Sequence, residues 1–317
     1  MTHVQGPAVE PKPDTPARDG HEPGHPRDVR PEGGAPLVDL MGGVVRREIP
    51  VLDHGLVALV DVMPRLVPEG QTADQAIVQA ARVSYGAGTK KVHEDRGLIR
   101  YLLRHRHTTP FEMVEFKFHC AMPIFVARQW IRHRTANVNE YSGRYSIMPD
   151  RFYVPQAEQV REQSAGNRQG GSEPIDASTA GEFLALLDDA ESNYAKYASL
   201  VEKGLARELA RIVLPQNLYT EWYWKCDLHN VLRFLSLRLD EHAQWEIRQF
   251  AQAMRTLMEP IVPVTLEAFD DYELESMRLT RLEIEAIRCG EAEIASTNTR
   301  EQAEWAEKRK ALGLDPS

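Results

Sequence analysis

Three cysteines in 317 residues are too few and too scattered to frame a fold. Cys120, Cys226 and Cys289 are widely spaced and odd in number. Neither a disulfide scaffold nor a zinc ribbon follows, and a reducing cytoplasm is the expected setting. A basic excess is missing too. Lys and Arg number 38 against 47 Asp and Glu, a formal charge of −9. That balance argues against general nucleic-acid binding, while permitting a local cationic pocket for a small anion. No apolar run is long enough to span a bilayer, and the N-terminus lacks the continuous apolar stretch of a signal peptide, so no membrane association is expected. Aromatic residues are absent from the first 43 positions, which are dense in Pro, Gly and charge. Such a segment cannot bury enough apolar surface to offset its ordering entropy. Residues 1–43 are therefore read as a disordered extension, not a domain.

What is present is a chain with a 42% hydrophobic share, enough for a core. ADQAIVQAARVSYG has helical spacing, with Ile77, Ala80, Ala81 and Ser84 on related faces. EDRGLIRYLLRHRH reads as a second helix ending before a TTPFE turn. VEFKFHCAMP alternates apolar and polar residues as a strand does. Pro123 then opens a helix, PIFVARQWIRHR, taken to run to Arg134. QSAGNRQGGSEP looks like a flexible surface insertion, about 160–178. A helix is expected from about Ala180 to Lys203, and another in ARELARIV, stopping at Pro215. NLYTEWYWKC reads as a strand, Asp227 as the N-cap of DLHNVLRFLSLRL, and DEHAQWEIRQFAQAMRTLM as a continuation in helical period. Helices and strands mix without regular alternation, so the expectation is α+β: one mixed helix and sheet catalytic domain over 44–273, with a charged helical tail over 274–317.

The chemistry concentrates in RHRTANVNEYSGRY. Arg132, His133, Arg134 and Arg144 crowd around one acid, Glu140, with Asn137, Asn139 and Ser142 between them. Gln129, Arg132 and His133 are spaced for one helix face. Ser142 and Arg144, two apart, share a side if the segment is extended. Arginine forks match phosphate oxygens, and serine adds a hydroxyl donor. Glu140 suits a sugar hydroxyl, or holds an arginine in place. A salt-bridged, solvated helix end is the bland alternative. Downstream lie Arg211, Asp227, His229, Arg233 and Arg238. Arg238 follows the apolar run FLSL, so it either ends a buried helical face or pairs with Asp240 or Glu241. His105, His107, His119 and Cys120 lack metal-ligand spacing, and no metal is expected. YGAGTK near Gly86 lacks phosphate-loop spacing.

RHRTANVNEYSGRY, together with HTTPFE and ARIVLPQNLYT…FLSLR…HAQWEIRQFA in the same order, resembles the flavin-dependent thymidylate synthases over roughly Val51 to Phe269. The resemblance implies reductive methylation of dUMP to dTMP, with methylenetetrahydrofolate as carbon donor and NADPH reducing a bound FAD. It implies a nucleotide site at Gln129, Trp130, Ile131, Arg132, Glu140, Tyr141, Ser142, Gly143, Arg144 and Arg211. It implies an FAD site at Ser84, Thr109, Arg132, His133, Arg134, Glu140, Asp227, Leu228, His229 and Arg233. Arg238 resembles the arginine that polarises the uracil ring, and His107 a histidine near the folate entrance. A cytoplasmic homotetramer with sites shared between subunits is also implied. Asn137 stands where many members have Ser, and Asp227 and Arg233 depart from the family's block. Beside the enzyme, a nucleotide- or RNA-binding module using RHR, Trp130 and Tyr145, and a degenerate structural paralogue that retains the fold without turnover, remain in play.

Overall fold

A computed structural model of the chain describes residues 36–42, 47–83, 95–164 and 170–315. The chain divides into two units, Met1–Ala35 and Pro36–Ser317, and the first lies outside the described residues. In the second, a short strand β1 (Leu37–Asp39) pairs antiparallel with β4 (Leu66–Pro68). Arg65 donates to the Asp39 carboxylate, and Met41 is buried. The expected extension over 1–43 is therefore too long: Leu40 and Met41 supply apolar contacts that composition alone hid.

The centre is a five-stranded antiparallel sheet in the order β2 (Arg47–Val51), β3 (Gly55–Met63), β5 (Glu115–Pro123), β9 (Tyr219–Asp227) and β6 (Asn137–Glu140). The period-2 pattern decides which face is buried. Phe116, Phe118, Cys120 and Met122 on β5, and Trp222, Trp224 and Cys226 on β9, all enter one core. β5 and β9 pair along their full length, from Glu115 opposite Asp227 to Pro123 opposite Tyr219. Gly55 sits where a side chain is impossible: an added Cβ would lie 2.5 Å from the Val51 carbonyl oxygen.

Helices cover that face. α1 (Asp74–Val83) and α2 (Asp95–Arg104) precede a one-turn helix, α3 (Thr109–Glu112), where a plain turn was expected. α4 (Ile124–Trp130) follows β5 without a loop, and α7 (Leu228–Arg238) follows β9 in the same way. Because the two strands are antiparallel, the two helices start from opposite ends of the sheet. Their C-terminal ends meet over its middle, where Trp130 stacks on Phe234 at 4.8 Å. α8 (Trp245–Met258) and α9 (Pro263–Phe269) complete the layer.

Several expected boundaries move. α4 stops at Trp130, not Arg134, and a tight turn follows, with Arg132 and His133 donating to the Gln129 and Trp130 carbonyls. α7 and α8 are separate, because Asp240 turns the chain by accepting from the backbone N–H of His242. The insertion forms a two-stranded hairpin, β7 (Arg161–Gln163) with β8 (Gly171–Pro174). α5 (Ala177–Glu202) is capped by Asp176, and ARELARIV yields only α6 (Arg207–Ala210) and a 3₁₀ turn. The tail is a helix pair, α10 (Arg281–Cys289) and α11 (Thr299–Ala311), around Trp305 and Ile294. Among the described residues no helix is long and apolar enough to cross a membrane.

Candidate active site

The meeting of α4 and α7 builds the centre of the site. Arg238, half-buried in the last turn of α7, directs its Nε–H at His133 Nε2, 3.0 Å away. A guanidinium only donates, so that nitrogen is a lone-pair acceptor and His133 is neutral. Its pKa is pushed down to about 4 by burial and by the charges of Arg238 and Arg233. Phe234 holds the imidazole edge-on at 5.0 Å. With Nε committed, the two terminal nitrogens of Arg238 remain for other partners. Burial lowers the pKa of this guanidinium. Neither Asp240 nor Glu241 pairs with it, and among the described residues no carboxylate does. The buried-face reading of Arg238 therefore replaces the ion-pair alternative.

Arg238 and Gln129 line one open cavity of about 1100 Å³, walled otherwise by the β7–β8 hairpin, the Asp240–Gln244 turn and the first turn of α8. The Gln129 Oε1 is buried without a hydrogen-bond partner. A second cavity, about 370 Å³, lies on the other side of α7 and is lined by His107, His229 and Arg233 with Phe111, Leu232 and Phe269. Ser236 and Leu237 line both cavities. His107 reaches the second one through a non-glycine left-handed residue. Arg106 has φ 59°, and the His107 N–H closes back on the Leu102 carbonyl at 2.9 Å.

The signature's second half is a turn, and none of Glu140, Ser142, Gly143, Arg144 or Arg211 lines either of these two cavities. Ser142 is not extended relative to Arg144; its Oγ accepts the Arg144 N–H at 3.3 Å. Tyr141 donates to the Ile147 carbonyl, and α5 fixes the same loop through Tyr194 on the Met148 carbonyl. Gly143 is buried, and a Cβ there would stand 2.8 Å from Met148 Sδ and 3.4 Å from Arg211 Cδ. The glycine thus lets Arg211 approach the loop. Arg144 lies over the Tyr145 ring at 5.2 Å. Glu140 accepts the Thr220 hydroxyl at 2.9 Å and does not hold an arginine. Among the described residues, Arg132, Arg134, Arg144 and Arg211 have no carboxylate partner, so the salt-bridged helix end is excluded.

Other expected positions fall elsewhere. Trp130 is fully buried among Phe234, Trp222 and Trp224. It shapes the core and can stack on neither nucleotide nor RNA. Leu228 is likewise core, whereas Ile131 is exposed. Asp227 caps α7, accepting the Asn230 N–H at 3.0 Å and its amide at 2.8 Å. Thr109 is exposed in the first turn of α3. Ser84 and the YGAGTK stretch lie outside the described residues. What sequence reading missed includes Gln159, Ser236 and Arg106, which line the cavities. Gln159 lies in a short 3₁₀ turn, Ala157–Gln159, where no period marks it.

Residues 65–264 match the family model described as thymidylate synthase complementing protein. A flavin-dependent thymidylate synthase from Dictyostelium discoideum is 64% identical over 284 residues, 90% of this chain and 93% of that relative. The chain belongs to the flavin-dependent thymidylate synthase family. A member from Thermus thermophilus is 56% identical over 241 residues, covering 76% of this chain and 84% of that one. Among solved structures, a UMP/dUMP methylase PolB from Streptomyces cacaoi bound with 5-Br UMP aligns with a TM-score of 0.60 and 34% identity. That alignment covers 71% of this chain and 98% of the methylase. The family model begins near β4 and ends in α9, so the hairpin falls inside it and α10 and α11 outside.

Proposed function

We propose that this chain methylates dUMP to dTMP, taking the carbon from 5,10-methylenetetrahydrofolate, in the cavity that Arg238 and Gln129 line. The observation that carries this reading is the half-buried Arg238, without a carboxylate partner, positioned by a neutral histidine. Bound FAD supplies hydride chemistry, with NADPH as the reductant. The residues fit such a group: His107, His229, Arg233, Arg106 and Arg278 bring donors and positive charge to a cavity that also has an apolar wall of Leu102, Phe111, Leu232 and Phe269, with Glu273 the one acid lining it.

The protein's part is binding and charge. Arg144, Arg211 and the Ser142 hydroxyl hold the nucleotide phosphate, and Gly143 gives the backbone room to approach it. Glu140 takes a sugar hydroxyl beside Thr220. Arg238 directs its free terminal N–H groups at the uracil carbonyl oxygen beside ring nitrogen 3, where they stabilise negative charge developing over that oxygen and nitrogen. Negative charge drawn there raises the nucleophilicity of carbon 5 without a cysteine adduct. His133 holds the plane of that guanidinium and, being neutral, leaves its charge undiluted. Ser142 has no base beside it among the described residues and serves as a binding group.

Assembly belongs to the same reading. We infer a cytoplasmic homotetramer in which signature residues and cavity residues come together from different subunits. Light scattering gives the mass. Two inactive variants, altered at Ser84 and Arg144, regain part of the activity on co-refolding if those residues serve one site from different chains. The activity itself is tested on purified protein. A flavin spectrum bleached by NADPH, and dTMP formed only when dUMP and the folate are both present, support it. A colourless protein that makes no dTMP after FAD is added would contradict it.

A further inference from the structure

The second cavity has a floor and a rim of different chemistry. Leu102, Phe111, Leu232 and Phe269 line it from buried positions, whereas Arg106 and Arg278 line it from exposed ones. Three arginines, Arg106, Arg233 and Arg278, stand against one acid, Glu273, in that lining. The two rim arginines are set there by separate means. Arg106 holds φ at 59°, a left-handed conformation that penalises any residue with a Cβ. Glycine would make the same turn without that penalty, and among the described residues no carboxylate pairs with Arg106. Arg278 lies beyond the π-turn Asp270–Leu274, and its carbonyl accepts from Lys308 Nζ at 3.0 Å. The same ammonium meets Glu283 Oε1 at 2.8 Å, and buried Glu283 closes the capping box with Thr280. The α10–α11 tail, outside the matched family region, thus pins the backbone at Arg278. One terminal nitrogen of Arg278 donates to Glu273 at 3.1 Å, which leaves the rest of the guanidinium fork for another partner.

An apolar floor under a cationic rim suits a ligand that is flat and uncharged at one end and anionic at the other. Resting on the functional reading above, FAD, NADPH and the folate are the molecules to compare. Both dinucleotides carry a diphosphate in the middle, between two ring systems. The folate carries two carboxylates at one end, on a glutamate joined through an aminobenzoyl group to a flat ring. An exposed rim also matches a tail that stays hydrated. A diphosphate that must be ordered calls instead on His229 and Arg233, one turn apart on α7. We propose that Arg106 and Arg278 form a carboxylate subsite for the glutamate end of the folate, with the α10–α11 tail positioning the Arg278 half of it. Guanidinium forks match carboxylates in geometry as well as charge.

The test is calorimetric titration of the FAD-loaded protein with dUMP present. One ligand is 5-formyltetrahydrofolate. The other is 5-formyltetrahydropteroate, the same molecule without its glutamate. Arg106→Gly and Arg278→Gln should each bind the folate roughly three- to tenfold more weakly than wild type, the worth of one exposed charge-assisted contact. Both should bind the pteroate as wild type does and keep their flavin absorbance. Raising the salt concentration should narrow the wild-type gap between the two ligands. Arg106→Gly should melt no lower than wild type, since glycine takes a positive φ freely. Unchanged folate affinity in either variant overturns the proposal. So does an equal loss for folate and pteroate, which marks a merely structural residue, or a loss of flavin, which marks a diphosphate ligand. If Arg106→Gly fails to fold, Arg278→Gln, at a side chain 70% exposed, decides by the same criteria. A wild type that binds neither dUMP nor folate would overturn the functional reading as well. A wild type that binds both but does not prefer folate to pteroate removes the subsite alone.

Discussion

Two sets of arginines in this molecule live under opposite rules. On the side of α2 and α9, Arg96, Arg100 and Arg255 each have an acid. Arg100 donates to Glu267 at 2.8 Å and to Asp271 at 2.6 Å, and Arg96 also reaches Glu267. Arg255 bridges Glu259 at 2.8 Å and Asp270 at 2.5 Å. These hold α2, α8 and α9 to the π-turn Asp270–Leu274. Around the signature, Arg132, Arg134, Arg144, Arg211 and Arg238 have no carboxylate among the described residues. The electrostatics diverge accordingly: the Asp271 hydrogen bond raises the Arg100 pKa, while burial lowers that of Arg238. In a chain with nine more acids than bases, leaving cations unpaired is not for want of partners. The paired set secures helices; on the function proposed above, the unpaired set is held for anions that arrive from solution.

The largest effect should come from Arg238→Ala. Loss of a transition-state donor of this kind lowers turnover by roughly 100- to 1000-fold, and dTMP formation should fall to background while flavin absorbance stays. Next is Arg144→Ala, which should weaken dUMP binding by about 1.5–3 kcal/mol, one charge-assisted donor, with FAD affinity little changed; titration of each ligand separates the two. Arg255→Met belongs to the other set. It should lower stability by roughly 1 kcal/mol in a denaturant titration and leave dUMP affinity alone.

Truncation sharpens the boundary of the folded unit. Removing residues 1–35 should leave the melting temperature unchanged. Removing residues 1–43 should lower it, because β1, the Asp39–Arg65 pair and buried Met41 go with it.

The smallest effect is on pH. His133 titrates near 6.5 when unfolded and at about 4 when folded, so between these values the unfolded chain binds more protons. Stability therefore falls as pH drops from about 6.5 towards 4, and is unaffected by this group above 6.5. Melting temperatures at pH 7.5 and 5 should differ more for wild type than for His133→Gln.

How much of this was legible in sequence depends on what each element rests on. β5 and β9 were visible because alternation and β-branched or aromatic residues act locally. The Asp227 cap was visible for the same reason. β6 was not, because NVNE is polar and mostly exposed and forms a strand only by pairing with β9. The break between α7 and α8 was hidden because the helical period carries across Asp240–Gln244, where a side-chain turn wins. The signature marked the arginines, but their lack of acid partners is a property of three-dimensional neighbours. The same holds for the contact between His133 and Arg238, which are 105 residues apart. Trp130 lies inside the signature, yet it is core, since burial of a large ring outweighs its place in a motif.

The most direct test of the central claim is to compare dUMP with deoxyuridine, which lacks only the phosphate, by calorimetric titration of the FAD-loaded protein. If the unpaired arginines are kept for that anion, deoxyuridine should bind at least about 100-fold more weakly, the worth of two charge-assisted hydrogen bonds. The gap should narrow in Arg144→Ala and stay the same in Arg255→Met. Equal affinity for the two ligands in the wild-type protein would contradict the account.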